Sequence, residues 1–289
     1  MKLPEFEYAL PATLDAAIGL LSSTDGAKVL SGGQSLMPMM AYRLARPSML
    51  VDLRGIPGLD RIRVEEDGIR LGARVRWVDI ECDDRLRTGH PLMVEMISNV
   101  AHYQVRNRGT VGGSLAHADP AAEMPGLSVV CDCEIAVTGE QGVRTLPAAE
   151  LFAGPLETTL ADSDIITEVR FPPWPADRRW AFIELSRRKG DFALCGVAVF
   201  YDQDADGLAR DVHVGSIGVQ STPSRLRAAE AALEGRRIDE ASIAAARAAA
   251  MSEVDPMDDL HANADYRRSL VGTLTARALR RAAALGDAS

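Results

Sequence analysis

Twice in this chain a pair of adjacent glycines follows an apolar residue or run, in "VLSGGQS" at residues 29–35 and in "TVGGS" at 110–114. Glycine has no Cβ, so each pair marks a place where the backbone can turn sharply or press close to a neighbour. Either pair alone reads as a turn. Neither lies in a G-x-G-x-x-G fingerprint or a G-x-x-x-x-G-K-[ST] loop, and "GSIGVQ" at 215–220 has no helix in register behind it. Together they constrain the chain more. Each is followed by a hydroxyl side chain, Ser35 and Ser114, and each can turn backbone N–H groups toward an anion, as a nest or a helix N-terminus does. Two such surfaces can clasp a dinucleotide from opposite sides, each serine adding an O–H donor.

The pattern around the pairs divides the chain. Thr13 is an N-cap for a helix with Leu14, Ala17, Ile18 and Leu21 at i, i+3, i+4, i+7. "AKVL" and "SMLVDL" read as strands on either side of a short helical or loop segment, so residues 1–56 form a small α/β unit. Residues 57–175 form a second unit, with "GIRLGA" a strand, "WVDIECDDRL" and "PLMVEMISNVA" helices, and "CEIAVTGEQGVRTLP" a hairpin. "FPPWPADRRW" reads as a connector. Residues 176–289 then give three antiparallel strands, "AFIELSRR", "FALCGVAVFYD" and "RDVHVGSIGV", followed by helices. Thr222 and Pro223 cap the first helix, Gly235 stops it, and Tyr266, Leu270, Leu274 and Ala278 mark a buried stripe on the last.

With 41 acidic against 32 basic residues and a net charge near −9, the chain is a poor match for a nucleic-acid or anionic-membrane surface. The acidic, proline-containing N-terminus is a poor signal peptide, and no apolar run approaches the roughly 18 residues of a membrane span. The expected location is the cytoplasm. Four cysteines are too few and scattered for a disulfide framework. Cys131 and Cys133 lie in "SVVCDCEIAV", an apolar run read as a strand, which makes them buried structural thiols rather than half of a metal site.

The second glycine pair has more chemistry beside it: Thr110 before it, then His117, Asp119 and Glu123. A phosphate repels carboxylates, so Asp119 and Glu123 suit ribose or ribityl hydroxyls. The competing reading is a proline-stopped loop in which Asp119 is a turn residue. No residue in either segment is marked out as a proton-transfer group.

Three separated segments, "AKVLSGGQSLMPMMAYRLARPSMLVDL", "QVRNRGTVGGSLAHADPAAEMP" and "FAGPLETTLADSDIITEVRFP", closely resemble the FAD-binding medium subunit of molybdenum hydroxylases of the carbon monoxide dehydrogenase and xanthine dehydrogenase type. "RKGDFALCGVAV" and "QSTPSRLRAAEAALEG" resemble the C-terminal domain of that family. The resemblance implies an α+β chain. Its FAD-binding domain is of the vanillyl-alcohol-oxidase type, built from two α/β subdomains, and its C-terminal domain has an antiparallel three-stranded sheet with helices. It also implies non-covalent FAD held by Ser31, Gly32, Gly33, Gln34, Ser35 and Leu36 on one loop and by Thr110, Gly112, Gly113 and Ser114 on the other. Lys28, Ala101, His102, His117, Asp119 and Glu123 are further contacts. "RRKGDF" matches the family's R-K-x-G-D-aromatic segment with one residue fewer, and so adds Lys189, Asp191 and Phe192, the last as a ring-stacking side chain.

The implied function is electron transfer. Electrons leave a molybdopterin centre on a large subunit, pass [2Fe-2S] clusters on a small subunit, and reach an external acceptor through FAD on this chain, in a dimer of heterotrimers. No cluster-type cysteine pattern occurs in the chain itself. A self-contained flavoenzyme and a non-catalytic nucleotide-binding module are the alternatives.

Overall fold

A computed structural model describes residues 2–284. In the first unit β1 (Glu7–Ala9), α1 (Leu14–Ser23), β2 (Lys28–Leu30), α2 (Leu36–Ala41) and β3 (Met49–Asp52) form a parallel three-stranded sheet of order β1-β3-β2 with helical cover. The Thr13 hydroxyl accepts from the Ala16 amide at 3.2 Å and starts α1. Ala17, Ile18 and Leu21 then pack with Val51 and Leu53 of the central strand and the residue after it. A central parallel strand is covered on both faces, which is why "MLVD" is buried at every position.

The second unit starts with β4 (Ile62–Glu65) and β5 (Gly68–Gly72). Six short helices follow: α3 (Trp77–Glu81), α4 (Asp84–Gly89), α5 (Pro91–Ile97), α6 (Tyr103–Arg106), α7 (Val111–His117) and α8 (Glu123–Val130). The strands β6 (Glu134–Gly139), β7 (Gly142–Pro147), β8 (Phe152–Gly154), β9 (Glu157–Thr158) and β10 (Ile165–Phe171) complete it. An antiparallel sheet of order β4-β5-β10-β6-β7 backs the helices. The expected helix over "WVDIECDDRL" is two helices, because the Asp83 carboxylate accepts from the Arg85 amide at 2.9 Å and caps a new start. The expected strand "SVVC" is the end of α8. Cys131 is its C-cap, and Asp132, at φ 48°, turns the chain into β6, so only the latter half of that run is extended. Both thiols are buried, and burial pushes each pKa up.

The last unit holds β11 (Arg179–Ser186), β12 (Ala193–Gln203), β13 (Ala209–Ile217), β14 (Ser224–Arg225), α9 (Arg227–Leu233), α10 (Glu240–Glu253) and α11 (Ala264–Ala284). Its sheet has four strands, not three. Ser224 and Arg225 pair with Ser216 and Gly215, and this pairing moves the start of α9 beyond Thr222 and Pro223 to Arg227. On α11 the stripe begins one residue later than its spacing suggests. Tyr266 is exposed, while Arg267, Leu270, Leu274 and Ala278 are buried.

The sheet of the last unit faces two ways. Ala181, Val197 and Val199 pack under α9 to α11, whereas Phe182, Ala198, Phe200 and Ile217 join the core of the second unit. Alternation along each strand sends neighbours to opposite faces, so one sheet serves both cores. Trp174 of the connector stacks with His90 at 4.1 Å and meets Phe200 edge-on at 5.1 Å, with the Arg178 guanidinium over both rings. No described helix is long and apolar enough to cross a membrane.

Candidate functional site

A cleft of about 1190 Å³ opens where the three units meet. Its first wall is the loop leaving β2, its second runs from Ala101 through α7 to Glu123, and its third is the segment 158–166. The last unit closes one end with residues 187–194, 218–220 and 257–267.

The two glycine pairs serve the cleft differently. On the first loop Gly33 has φ +72°, a left-handed conformation that side chains resist. A Cβ on Gly32 would lie 2.1 Å from the Arg108 carbonyl oxygen, so the loop touches the segment leading into α7 backbone to backbone. The Gln34 side-chain amide donates to the Gly32 carbonyl at 3.2 Å and holds the turn. Among the described residues the backbone amides of Gly32, Gly33, Gln34 and Ser35 have no hydrogen-bond acceptor. These four N–H groups are free to meet an anion in the cleft.

The second pair is the first turn of α7, not a loop. Its amides are spent within the protein: Val111 donates to Val75 at 3.0 Å, Gly112 to Ala73 at 2.8 Å, Gly113 to the Thr110 hydroxyl at 3.3 Å and Ser114 to the Thr110 carbonyl at 3.0 Å. Gly112 is needed for packing, since its Cβ would fall 2.6 Å from that of Ala73. The Ser31 and Thr110 hydroxyls, 2.9 Å apart, pin the two walls together. Replacing Thr110 by Val removes both the cap and this bridge. The expected loss is about 1–2 kcal/mol of stability, with weaker retention of whatever the cleft binds, read by thermal melts and ligand titration.

The third wall is fixed by charge. Arg144 donates to Asp164, with one contact at 2.9 Å, and Asp164 accepts from the Ala161 amide at 2.7 Å. The Arg144 hydrogen bond holds the Asp164 carboxyl below the usual range. Glu123, at the opposite end, is 8 % exposed, and burial pushes its carboxyl up to about 8, helped by the charge of Glu184.

Lys28, Ser31, Gln34, Ser35 and Leu36 line the first wall with the first glycine pair. Ala101, His102, Thr110, Gly112, Gly113 and Ser114 line the second, with His117, Asp119 and Glu123 at its far end. Asp191 and Phe192 stand at the mouth, where Phe192 is 69 % exposed. Lys189 does not line the cleft. The chain turns at Gly190, which has φ +89° and packs against His102 so closely that a Cβ would be 2.6 Å from Nδ1, and Lys189 stays outside on the surface.

Sequence reasoning also passed over Asp258, Asp259, His261 and Arg267, which form part of the cleft wall. Arg267 is buried and donates to the carbonyls of Leu194 (2.7 Å) and Gly218 and to the Asp259 carboxylate (2.5 Å). An arginine in an arginine-rich helix carries no local sign of such a role.

Comparison with known proteins bears on this geometry. Residues 4–174 match the family "FAD binding domain in molybdopterin dehydrogenase", and residues 180–282 match the "CO dehydrogenase flavoprotein C-terminal domain". The chain is 38 % identical to the nicotine 6-hydroxylase medium subunit of Paenarthrobacter nicotinovorans over 96 % of this chain and 98 % of that one. It is 34 % identical to the carbon monoxide dehydrogenase medium chain of Hydrogenophaga pseudoflava over 96 % of each. A solved carbon monoxide dehydrogenase from Hydrogenophaga pseudoflava superposes with a TM-score of 0.95 at 36 % identity, covering 98 % of this chain and 99 % of that one. Quinoline 2-oxidoreductase from Pseudomonas putida 86 gives 0.94 at 35 % identity, covering 99 % of each. With both halves of the chain matched by family and by fold, and a glycine-walled cleft where they meet, this protein belongs to the FAD-binding medium subunits of the molybdenum hydroxylases, the flavoprotein component of a molybdopterin-dependent oxidoreductase.

Proposed function

We propose that this chain holds FAD non-covalently along the cleft and carries electrons from iron-sulfur clusters of a small partner subunit to an external acceptor. The electrons originate at a molybdopterin centre on a large subunit, in a cytoplasmic dimer of heterotrimers. The observation that carries the binding mode is the set of unspent amides at Gly32, Gly33, Gln34 and Ser35, placed on a tight glycine loop that lines a cleft of about 1190 Å³. The donor set suits a pyrophosphate: four neutral N–H groups with the hydroxyls of Ser31 and Ser35 nearby, and no carboxylate on that loop. When bound, FAD supplies the exchange between one-electron and two-electron chemistry.

On this reading residues 1–56 provide the phosphate loop, residues 57–175 the opposite walls, and residues 176–289 the cover at the end of the cleft. Ser114, His117 and Asp119 present polar groups along the ribityl stretch, and Phe192 at the mouth is the ring-stacking candidate. Asp164, fixed by Arg144, orders the wall at the Lys28 end.

Reconstitution tests this directly. The full chain incubated with FAD and then desalted is expected to keep stoichiometric flavin absorbance, and to gain turnover only when the two partner subunits are present. A chain that never retains flavin overturns the reading. Rapid oxidation of a small organic donor by the chain alone favours the self-contained flavoenzyme instead.

A further inference from the structure

Ala101 stands on the second wall of the cleft at φ 42°, in the left-handed region, where a Cβ crowds the backbone. Ala118, the other described alanine at positive φ, is the C-cap of α7, an ordinary place for that conformation. Ala101 ends no helix. It lies between α5 and α6, and His102 after it precedes α6 without a side-chain cap.

One side chain fixes the turn. Nη1 of Arg106 donates to the carbonyls of Val100 and Ala101, each at 3.0 Å, and Nε donates to the Glu81 carboxylate at 3.0 Å. Those carbonyls belong to the peptide planes on either side of the Ala101 Cα, so holding both holds φ and ψ of that residue. The amides of Ala101 and His102 lie on the same two planes, opposite the carbonyls, and have no acceptor among the described residues. Glu81 ends α3, and Trp77 one turn earlier on that helix lines the cleft, which ties the anchor to the wall it supports. Arg106 and Glu81 have no other ion-pair partner among the described residues. From the other side the last unit closes on the same turn. A Cβ on Gly190 would lie 2.8 Å from the Ala101 carbonyl oxygen and 2.6 Å from His102 Nδ1. A strained residue persists only where its surroundings over-determine it, and such residues gather where ligands are held.

We propose that Arg106, anchored by Glu81, is a positioning residue for the cofactor: it holds Ala101 in its left-handed conformation and so sets the wall of residues 100–102 against the ring end of FAD. This rests on FAD being the ligand of the cleft, with its ring near Phe192, two residues beyond Gly190. Arg106 does not itself line the cleft, so it acts through the backbone and not by contact. The glycine loop at residues 32–35 then retains the cofactor, and the Arg106 turn decides where its ring stands.

The test uses the full chain loaded with FAD. Arg106→Met keeps apolar volume and removes every donor. It is expected to retain flavin after desalting, with a moved visible absorption band and a moved midpoint potential. Adding Ala101→Gly supplies a residue that takes positive φ without strain, and is expected to return both to the wild-type values. Arg106→Lys keeps donors for the two carbonyls and is expected to stay close to wild type. Should Arg106→Met fail to fold, Glu81→Gln weakens the anchor more gently and is expected to move band and potential the same way by less. An unmoved band and potential in the folded variant overturn the proposal. A shift or a loss of flavin in Arg106→Met that Ala101→Gly does not reverse overturns it as well.

A measurement without cofactor separates this failure from that of the FAD reading. In the apo chain labelled at its alanine methyl groups, the NMR resonance that Ala101→Gly removes belongs to Ala101. It is expected to shift in Arg106→Met, or in Glu81→Gln by less, and to hold in Arg106→Lys; an unmoved resonance refutes the proposal. Should the chain bind no FAD at all, the FAD reading falls, and this resonance still decides whether Arg106 sets the turn.

Discussion

Gly32→Val is expected to empty the cleft of flavin. The new Cβ would stand 2.1 Å from the Arg108 carbonyl oxygen and 2.9 Å from its carbon, both backbone atoms of the segment that leads into α7, so no side-chain rotation relieves the clash. The walls must part. Parting them breaks the 2.9 Å contact between the Ser31 and Thr110 hydroxyls and turns the free amides of the first loop away from the ligand. Overpacking of this kind costs about 1–3 kcal/mol in stability, whereas the loss of flavin is expected to be complete after desalting. Gly19→Ala is the control. Gly19 lies inside α1 with nothing within 4 Å of the position its Cβ would take, and the change is expected to add roughly 0.5–1 kcal/mol through helix propensity and leave flavin content unchanged. Equal flavin content in Gly32→Val and wild type would make the first glycine pair an ordinary turn.

The site was legible where one local feature sufficed. The strand-to-glycine exit at Leu30, the cap at Thr13 and the hairpin over residues 134–147 all depend on short-range chemistry and appear in the sequence as they do in the structure. Medium-range competition was less visible. Ser224 and Arg225 sit where a helix start is chemically reasonable, and pairing with Gly215 and Ser216 wins them for the sheet. Asp83 divides what hydrophobic spacing alone reads as one helix. The glycines at 112 and 113 looked like the twins of those at 32 and 33 because composition does not show which amides are already spent, and that is decided by Val75 and Ala73 on a distant segment. Arg267 left no local trace at all, since its importance comes from two carbonyls and a carboxylate that the fold of the last unit brings around it from distant segments.

Arg267→Met carries the second large effect, and it probes that last dependence. Methionine keeps much of the buried aliphatic volume and removes every donor, so the change isolates the hydrogen bonds from the packing. The carbonyls of Leu194 and Gly218 lose their partner inside the protein, at about 1–3 kcal/mol each, and the Asp259 carboxylate loses its cation. Asp259 also caps the turn at His261 and Ala262, with contacts of 2.7 and 2.9 Å, so the strap from Met257 to His261 that forms one wall of the cleft is released with it. The expected outcome is a variant destabilised by several kcal/mol, cleaved by protease within residues 255–263 before the rest of the chain, and retaining flavin weakly. Arg267→Lys restores one charge without the planar fork that spans two carbonyls and a carboxylate, and is expected to recover only part of the stability. If Arg267→Met melts and resists protease as the wild type does, the guanidinium is not what holds the 257–261 strap in the cleft wall, and the capping contacts of Asp259 with His261 and Ala262 must carry that role alone.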